Sequence, residues 1–289
     1  MKKIVFVLAG LAVAIVAAGV GGRTEPAGAA LPGCAKDSLN LVDEGVLTVG
    51  TDNPAYPPWF GGDEKKPWKV SDPRSGKGFE SAVTYAVAKR LGFTAAQVNW
   101  IYVPFNKAFA PGRKNFDFDI NQISITAERS KVVAFSAPYY DVNQSVVGVK
   151  GRPIASVRSI KGLKKMKLGA QLGTTSYRYI VNRIKPERSV AVYDTNDAAV
   201  AALKNGQIDG LVVDLPTAFY VTAVQVPNGK IVGQFPSHGV GEHFGMVFQK
   251  NNPLVACVNK AIAQMKRTGV LQRIQQIWLA KVTGAPVLK

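Results

Sequence analysis

Val46-Leu-Thr-Val49-Gly50, followed at once by Thr51-Asp-Asn-Pro-Ala-Tyr-Pro-Pro58, decides how the rest of the chain is read. The first five residues are a short β-rich run. The next eight hold too much proline to continue as strand, because proline has no N–H to give to a ladder. A strand therefore opens into a functional loop. After a polar stretch without periodicity, Gly61 to Lys77, read as an exposed hairpin or mobile flap, Phe79, Ala82, Val83, Ala86, Val87 and Leu91 recur at helical spacing and Gly92 ends the run. Strand, loop and helix make the first unit of an α/β fold.

Downstream, Val98 to Val103, Asp119 to Ile125, Val132 to Phe135 and Ser145 to Val149 are expected strands bounded by turn formers. From Gly151 the pattern restarts. Leu168-Gly-Ala170 is a strand, Gly173-Thr-Thr-Ser176 opens a helix, and Val190 to Tyr193 is a strand. Thr195 then caps a helix ending near Asn205-Gly206, and Ile208 to Val213 is a strand. A strand near Lys230 to Val232 and an apolar segment Phe244 to Phe248 precede a helix begun by Pro253, whose buried face is Leu254, Cys257, Val258, Ala261, Ile262 and Met265. A last helix covers Val270 to Ala280. Two similar units and a return imply two lobes hinged around a cleft, with crossings near Val149 to Pro153 and Gly233 to Val240. The expected division is a signal peptide over 1–29, a first lobe over 30–149, a second over 150–236, and a return to the first lobe with C-terminal helices over 237–289.

Upstream, Met1-Lys2-Lys3 and the wholly apolar or small run Ile4 to Val20 have the form of an export signal, with an uncleaved anchor as the alternative. Ala27-Gly28-Ala29 resembles a small-x-small processing site, so the mature chain is expected to begin near Ala30 and to act outside the cytoplasmic membrane, in the periplasm or at the cell surface. In an oxidising compartment Cys34 and Cys257 are expected to pair. Lipidation at Cys34, within Leu31-Pro32-Gly33-Cys34, and two free thiols are the alternatives. The 36 Lys and Arg outnumber the 19 Asp and Glu, giving a net charge of +17. The basic residues are scattered, without the aromatic interleaving of a nucleic-acid site. A solvated face, attracted to an anionic membrane or envelope surface, is the expected meaning, and nucleic acid is not an expected partner. His238 and His243 lack ligand spacing, so neither metal nor cofactor is expected.

Gly50-Thr-Asp52, Tyr56-Pro-Pro-Trp59, Gly78-Phe-Glu80, Ile123-Ser-Ile-Thr126-Ala-Glu-Arg129, Phe135-Ser-Ala-Pro-Tyr139-Tyr140, Gly173-Thr-Thr175, Tyr193-Asp-Thr195 and Asp209-Gly-Leu-Val-Val-Asp214 follow one another in this order. Together they closely resemble the polar-amino-acid solute-binding proteins of bacterial ABC importers, over nearly all of residues 45 to 280. The resemblance implies the two-lobed type II periplasmic-binding-protein fold, an amino-acid ligand, an ABC permease as partner, a monomer, and no enzymatic activity.

A free amino acid carries a carboxylate and an ammonium, so its receptor needs a fixed cation and a fixed anion facing one cleft. The resemblance gives Arg129 the carboxylate and Asp214 the ammonium. Asp214 could instead be only the N-cap of the segment from Pro216. Gly173 and Thr174 to Ser176 stand where a helix begins and could offer backbone N–H groups to the same carboxylate, with Thr175 as the main contact by analogy. Tyr56 and Phe105 match the aromatic positions that sandwich the ligand. Asn121, Gln122 and Ser124 match small polar contact positions, and the two amides narrow the pocket. Asp52 matches a carboxylate that meets a cationic side chain in some relatives. The extra residue between Asp52 and Tyr56 and the neutral Gln171, also an expected contact, weaken that match.

Two other functions remain open from the sequence. One is an exported enzyme like the cyclohexadienyl dehydratases, which needs a general acid in the cleft; Glu80 and Glu242 are the nearest candidates, and neither stretch places them at the ligand. The other is a module feeding a signalling partner, which needs no different cleft.

Overall fold

The computed structural model describes residues 31–236, 241–281 and 284–289. The expected signal peptide, His238 and half of the second crossing, residues 237–240, lie outside the described residues.

Twelve strands are described: β1 (Leu47–Thr51), β2 (Val98–Tyr102), β3 (Phe118–Asp119), β4 (Val133–Phe135), β5 (Tyr140–Val142), β6 (Gln144–Val149), β7 (Leu168–Gln171), β8 (Ala191–Tyr193), β9 (Gly210–Asp214), β10 (Gly229–Gln234), β11 (Glu242–Phe244) and β12 (Val247–Gln249). They form one sheet of order β2-β1-β3-β12-β4, a second of order β10-β6-β9-β7-β8, and a two-stranded ribbon of β11 and β5. In each large sheet three strands at one end pair in parallel, β1 with β2 and β3, β7 with β8 and β9, as expected where helices connect them. The ribbon holds the outward and returning chain side by side, with Glu242 opposite Val142 and His243 opposite Asp141.

Local chemistry explains most elements. The helix Phe79–Arg90 buries Phe79, Val83 and Val87, and Gly92 follows it at φ 89°. Gly78 precedes the helix at φ 91°, where a Cβ would lie 2.4 Å from the Phe60 Cα, so only glycine fits. Thr195 caps the helix Asn196–Lys204 by accepting from the Ala198 N–H at 3.2 Å. The helix Leu254–Arg267 buries the six residues read from its periodicity, each large one contributing about 1.5–3 kcal/mol. Its Cys257 is joined to Cys34 by a disulfide, with Cα atoms 5.6 Å apart. That bond leaves Cys34 no thiol for a lipid.

The structure departs from the expected organisation in three places. Gln144–Val149 bonds to β9 and β10 in the second sheet, so the chain crosses at Tyr140–Val142 rather than near Val149 to Pro153; a strand buried on both faces does not encode its partner. The tail also comes back. Leu288 is buried in the second-sheet core, and Gln234 bonds to Pro286 and Leu288, so only part of 237–289 packs with the first sheet. The strand expected over Asp119 to Ile125 stops at Asp119, because Gln122 takes φ 50°. Among the described residues no helix is long and apolar enough to cross a membrane.

Candidate functional site

A cavity of about 150 Å³ lies between the two large sheets. Ten of the eleven residues expected at a ligand line it: Asp52, Tyr56, Phe105, Asn121, Gln122 and Ser124 from the first-sheet side, Gln171, Thr174, Thr175 and Asp214 from the second. Their convergence follows from the topology. Asp52 and Asp214 each stand just beyond or at the C-terminal end of a strand, where α/β sheets open onto their ligands.

Arg129 is the exception. Its guanidinium sits one layer behind the lining, 6% exposed, donating to the Ser124 carbonyl at 2.8 Å and the Gly173 carbonyl at 2.9 Å. The Phe109 ring centroid is 4.1 Å away, a cation–π contact. Burial lowers its pKa to about 10, so it stays charged at neutral pH.

The lining itself holds Asp52, Asp197 and Asp214 and, among the described residues, no lysine, arginine or histidine. Burial raises the Asp52 pKa. Burial also raises that of Asp214, to about 6, against the opposing bonds from Thr217. Asp214 is both a cavity residue and an N-cap: it accepts from the Thr217 N–H and hydroxyl, each at 3.0 Å. The two readings of this residue do not compete. Tyr56 closes one wall by donating to Asp197 at 2.6 Å, with the Tyr220 ring 5.5 Å away; burial, then Asp197, pushes its pKa up.

Several neighbours were not read as site residues. Asp197 looks in sequence like an ordinary acidic residue in a helix's first turn, yet it stands at the cavity. Glu80 is fully buried and takes hydrogen bonds from the Gln122 N–H at 2.7 Å, the Gln122 side-chain amide and the Tyr139 hydroxyl. Burial pushes its pKa up to about 7. Glu242 accepts from the Ser124 hydroxyl at 2.5 Å, the Thr175 hydroxyl at 2.6 Å and the Gln144 amide at 3.1 Å. Both glutamates therefore back the lining, although neither sequence stretch places them at the ligand. Thr174 spends its side chain on the helix start, accepting from the Tyr177 N–H at 3.1 Å. His243 lies 2.6 Å from Asp141 across the ribbon. Among the described residues no group of three or more His, Cys, Asp or Glu could hold a metal ion.

What the arrangement can do is bind. It offers fixed anions, aromatic walls and hydroxyls between two sheets joined by a narrow ribbon. Comparison with known proteins agrees. Residues 47–281 match the family described as bacterial extracellular solute-binding proteins, family 3. The L-cystine-binding protein TcyJ of Escherichia coli (strain K12) is 30% identical over 256 residues, 87% of this chain and 88% of that protein. The ABC transporter glutamine-binding protein GlnH of Bacillus subtilis (strain 168) is 30% identical over 216 residues, 73% of this chain and 76% of that protein. An ancestral arginine-binding protein solved bound to arginine superposes with a TM-score of 0.66 at 31% identity, covering 81% of this chain and 98% of that one. The chain belongs to the family 3 bacterial extracellular solute-binding proteins.

Proposed function

We propose that this protein is the receptor of an ABC importer for an amino acid whose side chain is cationic. The observation that carries the reading is the charge of the cavity wall. Three carboxylates face it with no cation among them, although the whole chain is strongly basic. A ligand with an α-ammonium and a second positive group compensates that wall. A neutral amino acid pairs Asp214 but leaves the partly buried Asp52 and the exposed Asp197 without a cation, and an acidic one adds to that negative charge. In this reading Asp214 takes the α-ammonium, Asp52 and Asp197 take the side-chain cation, and Tyr56 and Phe105 hold the aliphatic part. Asn121, Gln122, Gln171 and Thr174 shape the walls. The ligand's carboxylate goes to Ser124 and Thr175, with the Arg129 charge behind them. Monomeric state belongs to the same proposal, as do delivery to a permease, supported by a relative named for an ABC transporter, and action outside the cytoplasmic membrane, supported by the family's description as extracellular.

A panel of free amino acids tests it by thermal shift, since a ligand that binds only the folded state must raise its stability. Arginine and lysine should raise the Tm at millimolar concentration and glutamate should leave it unchanged. A glutamate response equal to that of arginine would overturn the charge argument.

A further inference from the structure

Glu242 does what a ligand's carboxylate would be expected to do. Its Oε1 takes the hydroxyl hydrogens of Ser124, at 2.5 Å, and of Thr175, at 2.6 Å. Those two hydroxyl oxygens are themselves 3.2 Å apart. A serine or threonine hydroxyl has one hydrogen to give. With Glu242 in place, neither residue can donate to another carboxylate. Gln144 is committed as well: its amide nitrogen reaches Glu242 at 3.1 Å while its oxygen accepts from Ser176 at 2.6 Å.

The placement matters as much as the bonds. Ser124 belongs to the first-sheet side and Thr175 to the helix start after β7 of the second. Glu242 belongs to neither large sheet; it opens β11, in the ribbon where the chain crosses back. One carboxylate thus ties both halves together from the hinge. Its negative charge is felt by Arg129 and by Asp214, the two groups to which the amino-acid reading assigns the ligand's ends.

We propose that Glu242 is a built-in competitor for the ligand's carboxylate, occupying the Ser124 and Thr175 hydroxyls until an arriving amino acid displaces it. The proposal rests on the reading of the cleft as an amino-acid site. Two carboxylates cannot share the same two donors, so binding includes the withdrawal of Glu242, and this withdrawal weakens affinity for every ligand that bears a carboxylate. A ligand without one leaves Glu242 where it is.

The test pairs arginine with agmatine, which keeps the guanidinium, chain and amine and lacks only the carboxylate. Isothermal calorimetry is run on the wild type, Glu242→Ala and Glu242→Gln, with circular dichroism as the folding check. Arginine should bind Glu242→Ala about tenfold or more tighter than wild type, and agmatine should change by less than about twofold. Glu242→Gln keeps the volume and removes the charge, so it should shift arginine in the same direction if the alanine variant fails to fold. Unchanged or weaker arginine binding in a folded variant, or a parallel gain for agmatine, would overturn the competitor role while leaving the amino-acid reading intact. Arginine that binds none of the three folded proteins would overturn that reading and this proposal together.

Discussion

The Arg129 guanidinium donates to the Gly173 carbonyl at 2.9 Å, which ties the helix before β4 to the loop after β7. A second bond to the Ser124 carbonyl uses another arm of the same fork. The cation is therefore a brace between the two halves as well as a charge behind the cavity wall. Arg129→Lys should lower stability by about 1–3 kcal/mol and weaken arginine binding, because a single ammonium cannot reproduce the planar fork. Urea unfolding and calorimetry on the same variant check both. Wild-type stability would show that the brace contributes nothing.

Glu80 sets a pH dependence of folding. Burial raises its pKa from an ordinary value near 4.5 to about 7, opposed by bonds from Tyr139 and Gln122, with Asp119 also buried nearby. The folded state thus favours the protonated carboxyl. The associated stability is fully present below about pH 4.5 and is lost as pH rises through about 7. The difference corresponds to roughly 3 kcal/mol at most. Glu80→Gln should flatten this part of a stability profile measured by thermal unfolding between pH 4.5 and 8. A variant profile parallel to the wild type would rule Glu80 out as its source.

The Cys34–Cys257 bond closes a loop spanning 223 positions. Cross-linking so long a loop restricts the unfolded chain and contributes up to about 5 kcal/mol on the loop-entropy estimate. Reduction, or Cys257→Ser, should lower the Tm by several degrees, read by calorimetry with and without reductant. No change would mean that the N-terminal segment around Cys34 is held by packing alone.

These features were unequally legible in the sequence. The helix Phe79–Arg90 and its Gly92 stop, the Thr195 cap, and the buried face of Leu254–Arg267 each rest on local spacing that one chain displays by itself. The partner of Gln144–Val149 does not, since six buried residues in a row carry no alternation to mark which sheet they join. The same limit applies to the site. Motifs led to residues on known loop positions, but Asp197 reaches the cavity wall and Glu242 the layer behind it through tertiary placement, over sequence separations of 141 from Tyr56 and 118 from Ser124. Gln122 ends the expected strand because its left-handed backbone turns its N–H toward Glu80, a consequence of a buried partner 42 positions away.

The central claim is that the carboxylates of the cavity wall hold an amino acid by its positive groups, and Asp214→Asn isolates the one assigned to the α-ammonium. Asparagine caps a helix about as well as aspartate, so the bond from the Thr217 N–H survives while the charge is removed. Calorimetry with arginine at pH 7.5 should show a loss of roughly 2–5 kcal/mol, about 30-fold to several-thousand-fold in affinity. The wild type should also lose affinity as pH falls through about 6, where Asp214 takes up its proton, and the variant should lose less, its remaining dependence coming from Asp52. Near-native arginine affinity in folded Asp214→Asn, with the wild type's pH dependence retained, would contradict the assignment.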